Sequence, residues 1–231
     1  MRFFQEFWHH FKLLPSAWLL LIQLLMLVIV PFINHNQASS AVAWIFSAIA
    51  LLLVANIIRI TVASTIVGLM CVLPALCLSI IVFLGYGNST LVIAANLFEA
   101  TAYFVAAYRL TLYMFADRYL TRDELFAAAS VFTLIVWGFA FLYSACQAWD
   151  IHSFTLQDEN SRSWLSLIFL SFSVQSGTGL SEIYPENDIA RVLVALQMFC
   201  GVMYLALIVS RLVALQYIKH QPKKPSDDEK S

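Results

Sequence analysis

Residues 163–216 constrain the fold more than any other stretch. An apolar run at 164–174 leads into Ser176-Gly177-Thr178-Gly179-Leu180-Ser181-Glu182, then Ile183-Tyr184-Pro185, then a long apolar run from 189. The first run is too short to cross a hydrocarbon core of about 30 Å, which takes about 20 residues as a helix. It is therefore expected to enter a membrane and turn back. Non-helical backbone at that depth persists only where it is buried in protein or lines water. Gly177 and Gly179 suit such a segment, because glycine reaches conformations closed to other residues and can aim carbonyls at a ligand. Carbonyls converging on an axis bind cations.

Composition supplies the membrane independently. Hydrophobic residues make up 61% and charged residues 12% of the 231, against about 25% charged in an ordinary soluble domain. The formal net charge of -1, with no long block of like charge, gives no sign of nucleic-acid binding.

Apolar runs at 13–33, 41–58, 65–84, 91–115, 125–148 and 189–216 predict an all-α membrane protein. About six transmembrane helices are expected, with a re-entrant helix and loop between the last two. At 1–12, Phe3, Phe4, Phe7, Trp8 and Phe11 recur at helical spacing opposite Arg2, Gln5, Glu6, His9, His10 and Lys12. This predicts an interfacial amphipathic helix, the other reading being a frayed terminus. The 13–33 run precedes Ala38, Ser39 and Ser40. It is either a cleaved signal sequence or, as its length favours, an uncleaved span.

Arg2, Lys12, Arg59, Arg109, Arg118, Arg122, Lys219, Lys223 and Lys224 fall at ends assigned to one side, against Arg162 and Arg191 on the other. This asymmetry puts both termini in the cytoplasm. The resulting organisation is a surface helix at 1–12, a four-span membrane domain at 13–124, a two-span unit at 125–217, and a disordered polar tail at 218–231.

From residue 169 to 215, the run FLSFSVQSGTGLSEIYPENDIARVLVALQMFCGVMYLALIVSRLVAL resembles, without gaps, the pore domain of prokaryotic potassium channels. There a TTVGYGD-I-Y-P stretch precedes a helix ending in a similar A-R-L-V pattern. The resemblance implies a pore helix at 164–174, a selectivity filter at Ser176, Gly177, Thr178, Gly179, Leu180, Ser181 and Glu182, and an inner helix with its hinge at Gly201. It also implies a homotetramer in a plasma membrane, a bacterial inner membrane by its likeness, passing monovalent cations passively. Potassium and also sodium are the expected permeant ions, and no cofactor, enzymatic activity or other metal is expected. Gly177 stands where the family has the threonine that supplies an inner hydroxyl, Ser181 where it has a second glycine, and Leu180 where it has tyrosine. These departures predict poor discrimination between potassium and sodium. A Glu182 ring would still favour cations. Val202, Leu205, Val209 and Val213 recur at helical spacing after Gly201 and form a candidate apolar gate.

Ionisable residues inside spans cost about 2.5–3.5 kcal/mol on insertion scales, so Glu99 stands out. It shares a helical face with Asn96 and Tyr103, while Asn56 and Arg59 sit near the end of another span; a polar cluster is predicted, serving either as packing glue or in gating. The 91–115 run holds one arginine, Arg109, so steep voltage sensing is not expected. Cys71, Cys77, Cys146 and Cys200 fall in apolar runs without paired spacing, and are expected to be small buried residues. Gly85-Tyr86-Gly87 is expected to be a surface turn. Two other classes stay open: a non-conducting membrane sensor or assembly protein with the same fold, and, with less support, a secondary transporter, for which no second broken helix is found.

Overall fold

The computed structural model describes residues 15–33, 62–82, 84, 88–116, 122–156 and 161–219. The surface helix at 1–12, the span at 41–58, Asn56, Arg59, the Gly85 to Gly87 turn and the tail from 220 lie outside them. Every main element is helical: α1 (Pro15–Ile33), α2 (Val62–Ile81), α3 (Ser89–Ala116), α4 (Arg122–Trp149), α5 (Trp164–Ser176) and α6 (Asp188–Lys219), with a 3-10 turn at Ile151–Ser153. The last helix thus runs to Lys219, past the tail boundary expected at 218. Among the described residues, three helical stretches are long and apolar enough to cross a membrane: Ser89–Phe115, Asp123–Trp149 and Asp188–Arg211. The apolar parts of α1, α2 and α5 are shorter.

Helix α4 is the hub, and its partners are set by small residues. Ala100, Ala102, Ala106 and Ala107 of α3 are buried with Ala127, Val131, Leu134 and Ala140 of α4 in one cluster. Small side chains let two backbones approach, which is how helices associate where lipid removes the hydrophobic drive. Gly138 continues this logic, since a Cβ there would lie 3.0 Å from the Phe104 ring.

Helix α1 runs parallel to α4, held by polar contacts at matching heights. Pro15 opens it, a favoured first position because proline lacks an amide hydrogen that would otherwise go unpaired. The Ser16 amide and hydroxyl donate to Asp123 Oδ1 and Oδ2 at 3.2 and 3.0 Å, so a carboxylate from another helix caps this end. Further along, the Thr133 hydroxyl donates to Gln23 Oε1 at 2.6 Å.

Helices α5 and α6 complete the bundle against α4. Tyr143 and Gln197 bond near one end, Tyr204 and the Ala128 carbonyl lower down, and Arg211 reaches Glu124 at 3.4 Å. Thus α6 is antiparallel to α4. The Arg211 guanidinium also lies 4.7 Å over the Phe115 ring of α3. On the cysteines, the structure bears out burial for Cys146, leaves Cys200 half-buried and corrects it for Cys77, which is exposed on the outward face of α2.

Candidate functional site

The short helix α5 begins where Ser163 Oγ accepts from the Ser166 amide at 3.2 Å, a side-chain cap. It descends along α4. Trp164 packs on Phe141 and Trp137, and eight residues later Phe172 meets Phe132. Gly177 then ends the helix at φ 70°, its amide bonding back to the Ser173 and Val174 carbonyls. Glycine suits this left-handed position because it has no Cβ to clash. Gly179 repeats the conformation at φ 67°, and the chain climbs back to the end from which α5 started. There Phe154 and Pro185 form an antiparallel bridge, and the Tyr184 amide donates to Thr155 Oγ1 at 2.7 Å.

The expected site residues at 176–182 are therefore brought together in one loop. Ser176, Gly177, Thr178, Gly179, Leu180 and Glu182 are exposed, Ser181 half so. Ser176 and Thr178 hydroxyls lie 3.1 Å apart, and the Thr178 amide donates to the Ser173 carbonyl at 3.1 Å. Ser181 is pinned at both ends: its amide donates to Ser173 Oγ at 3.2 Å, and its own Oγ accepts from the Ile183 amide at 3.1 Å. Leu180 is 73% exposed.

Behind the loop lies a polar network that the sequence reading did not single out. Gln197 is fully buried, as is Gln175 at 1% exposure. Gln197 Nε2 donates to the Ser171 Oγ and carbonyl at 2.7 and 3.0 Å and to Gln175 Oε1 at 3.3 Å; its Oε1 accepts from the Tyr143 hydroxyl. Ser171 Oγ in turn donates to the Val136 carbonyl at 2.7 Å. Three helices are thus joined by side chains that have exchanged water for one another. Each glutamine stands in an apolar run, the same signal that marks Glu99.

Gly201 is buried in α6, facing α5. A Cβ there would fall 3.1 Å from the Gln175 carbonyl carbon and nearer still to its oxygen. Its lack of a side chain allows close approach, and α6 stays helical through it. Val202, Leu205, Val209 and Val213 form an exposed stripe on another flank of α6.

The polar cluster expected around Glu99 is partly rearranged. Glu99 is buried and accepts from Ser79 Oγ of α2 at 2.7 Å, a partner the sequence reading missed. Asn96 instead donates to the Val92 carbonyl of its own helix at 3.0 Å. Tyr103 stacks on Phe141 and Trp137 with ring centroids 5.4 and 6.2 Å apart, and its buried hydroxyl has no hydrogen-bond partner among the described residues.

At the end of the bundle from which α5 starts, Asp150 organises the turns. Its Oδ1 accepts from the His152 amide and its Oδ2 from Asn187 Nδ2, at 3.0 and 3.1 Å. The His152 amide, then the Asn187 side chain, hold its carboxyl below the usual carboxylate range. Asn187 Oδ1 meanwhile accepts from the Ala190 amide at 2.8 Å, capping α6. Arg162 approaches Glu182 to 3.8 Å. Among the described residues, no group of three or more His, Cys, Asp or Glu could hold a metal ion.

A family model described as an ion channel matches residues 129–216, a span that begins in α4, contains the whole of α5 and its loop, and reaches the far part of α6. No curated protein matches the chain, and no solved structure does.

Proposed function

We propose, on the premise of the ion-channel family match at residues 129–216, that the chain is a pore-loop channel that assembles as a homotetramer passing monovalent cations. In this reading α5 is the pore helix, the loop at 176–182 the filter, and α4 and α6 the outer and inner helices. The observation that carries it is the pairing of an exposed, glycine-turned loop with a buried polar network behind it. A loop that must hold carbonyls in register needs such support, and a loop that faces a shared axis is left open in one chain. The open flanks of α6 have the same explanation. Val202, Leu205, Val209 and Val213 would line the axis as an apolar gate, and the other exposed positions would meet neighbouring copies.

About six membrane crossings, a re-entrant pore helix, cytoplasmic termini and a bacterial plasma membrane complete the proposal. The carbonyl end of α5 points partial negative charge toward a central cavity, which favours cations. Selectivity for potassium over sodium is weak in this proposal, since Gly177 brings no hydroxyl and Ser181 replaces a glycine. The Ser176 and Thr178 hydroxyls, side by side, are the nearest substitutes.

Reconstitution into planar bilayers under opposed potassium and sodium gradients tests this. A reversal potential near zero under bi-ionic conditions, with chloride impermeant, is expected. Anion permeation would sink the cation reading. Native mass spectrometry in mild detergent should find tetramers, and a stable monomer in detergent and in lipid would count against a shared pore. A second reading, a non-conducting membrane protein on the same fold, draws on the substituted filter and predicts tetramers without current.

A further inference from the structure

Arg162 precedes α5, and its side chain is 8% exposed, uncommon for arginine. Its own amide donates to Gln147 Oε1 at 2.9 Å, and Gln147 Nε2 donates back to the Arg162 carbonyl at 3.0 Å. The guanidinium Nε donates to the Thr155 carbonyl, and Nη2 to the Leu156 carbonyl at 3.2 Å. Those carbonyls orient the planar fork without cancelling its charge. Nη1 is left pointing toward Glu182, 3.8 Å from Oε1. Glu182 itself is 85% exposed at the end of the loop. Such a half-exposed pair adds little stability, so its consequence is electrostatic.

We propose that Arg162 is a positioning residue whose fixed charge offsets Glu182 and thereby sets how strongly the outer mouth concentrates cations. This rests on the channel reading above. The pair brings one positive and one negative charge per chain to the mouth, so the ring of Glu182 carboxylates is offset by an equal ring of Arg162 guanidiniums. Of the other charges at this end, Asp150 is engaged by Asn187, and Asp188 and Arg191 pair at 3.8 Å. Glu186 is exposed. The fork geometry makes the balance permanent: Arg162 is anchored by backbone, and the flexible partner is the carboxylate.

Single-channel conductance of the full chain in planar bilayers reads the balance. At low ionic strength R162Q should raise cation conductance and E182Q lower it, each by about two- to threefold, because a charged mouth changes local cation concentration. The two changes should cancel in the double variant. All differences should shrink in concentrated salt, where the screening length falls to about 3 Å at 1 M. R162K, which restores charge without the fork, should bring conductance back toward wild type; a purely structural brace would not be rescued. If R162Q does not assemble, E182Q carries the test alone, since its side chain is exposed: unchanged low-salt conductance overturns the proposal. Conductances of R162Q and E182Q that move in the same direction, or that ignore salt, overturn it too. A wild-type protein that passes no current defeats the channel reading instead, so the two failures are separable.

Discussion

Two glycines that look alike in sequence are needed for different reasons, and substitution should separate them. Gly177 has a positive φ and nothing within 4 Å of a would-be Cβ; its constraint is conformational. Gly177→Asn should therefore be milder than Gly177→Val, because asparagine enters the left-handed region with less strain than a β-branched residue; the penalty for an ordinary side chain is roughly 1–2 kcal/mol. Gly201 has an ordinary helical backbone and a wall of α5 backbone in front of it. Gly201→Ala must push α5 and α6 apart, costing about 1–3 kcal/mol as overpacking does. Thermal melting of the purified protein checks both; a Gly201→Ala protein that melts with wild type would show that the contact yields freely. Gly177 was legible from glycine's own backbone freedom and Gly201 from the resemblance, but the packing reason for Gly201 was not, because no periodicity reports which carbonyl lies opposite. Gln197 was passed over for a related reason. A polar residue in an apolar run signals a partner without naming it, and its partners come from two other helices. Gln197→Leu should strand the Tyr143 hydroxyl and Gln175 Oε1 and lower stability by about 1–3 kcal/mol, the usual cost of an unmade buried bond.

At the scale of helices, apolar runs were legible as helices, and three of those described are long and apolar enough to cross a membrane. The runs from 13–33, 65–84, 91–115, 125–148 and 189–216 each fall on a described helix, and 164–174 on α5. Boundaries and pairings carried less well, since they depend on contacts between segments far apart in sequence. The Arg211–Glu124 contact is the clearest instance, joining residues 87 positions apart, both with side chains at most 12% exposed. Arg211→Met should destabilise the protein by about 3–5 kcal/mol by leaving a buried carboxylate without that guanidinium, and adding Glu124→Met should recover much of the loss. Melting temperatures of the single and double variants decide it; equal loss in the double would mean that the pair does not act as a unit. The turn held by Asp150 behaves differently because it titrates. A carboxylate whose folded pKa is depressed contributes stability that is fully present above its unfolded value of about 3.9 and is lost as pH falls through the folded one. Asp150→Asn should thus loosen this turn at neutral pH and abolish its further loosening on acidification, as amide exchange at His152 would report.

For the whole molecule, the charge inventory of α3 limits what can drive opening. Within Ser89–Ala116 there is one acid, Glu99, and one base, Arg109. Each elementary charge crossing the field yields about 2.3 kcal/mol per 100 mV, so a ladder of bases would be needed for a steep response. Conductance should change shallowly with voltage in bilayers, and a steep curve would locate gating charge elsewhere. The fold class was legible because membrane insertion leaves few solutions: helices must satisfy their own backbone, and apolar length can be counted. How α1 meets α4 was not, because it rests on a serine and an aspartate with no mutual spacing rule. That junction bears on synthesis. Ser16 and Asp123 are 107 positions apart, so at about 5–20 residues per second the ribosome delivers the carboxylate roughly 5 to 20 s after the serine. For that interval the leading end of α1 lacks its carboxylate cap, and the first described helix gains that contact only when the fourth begins to emerge.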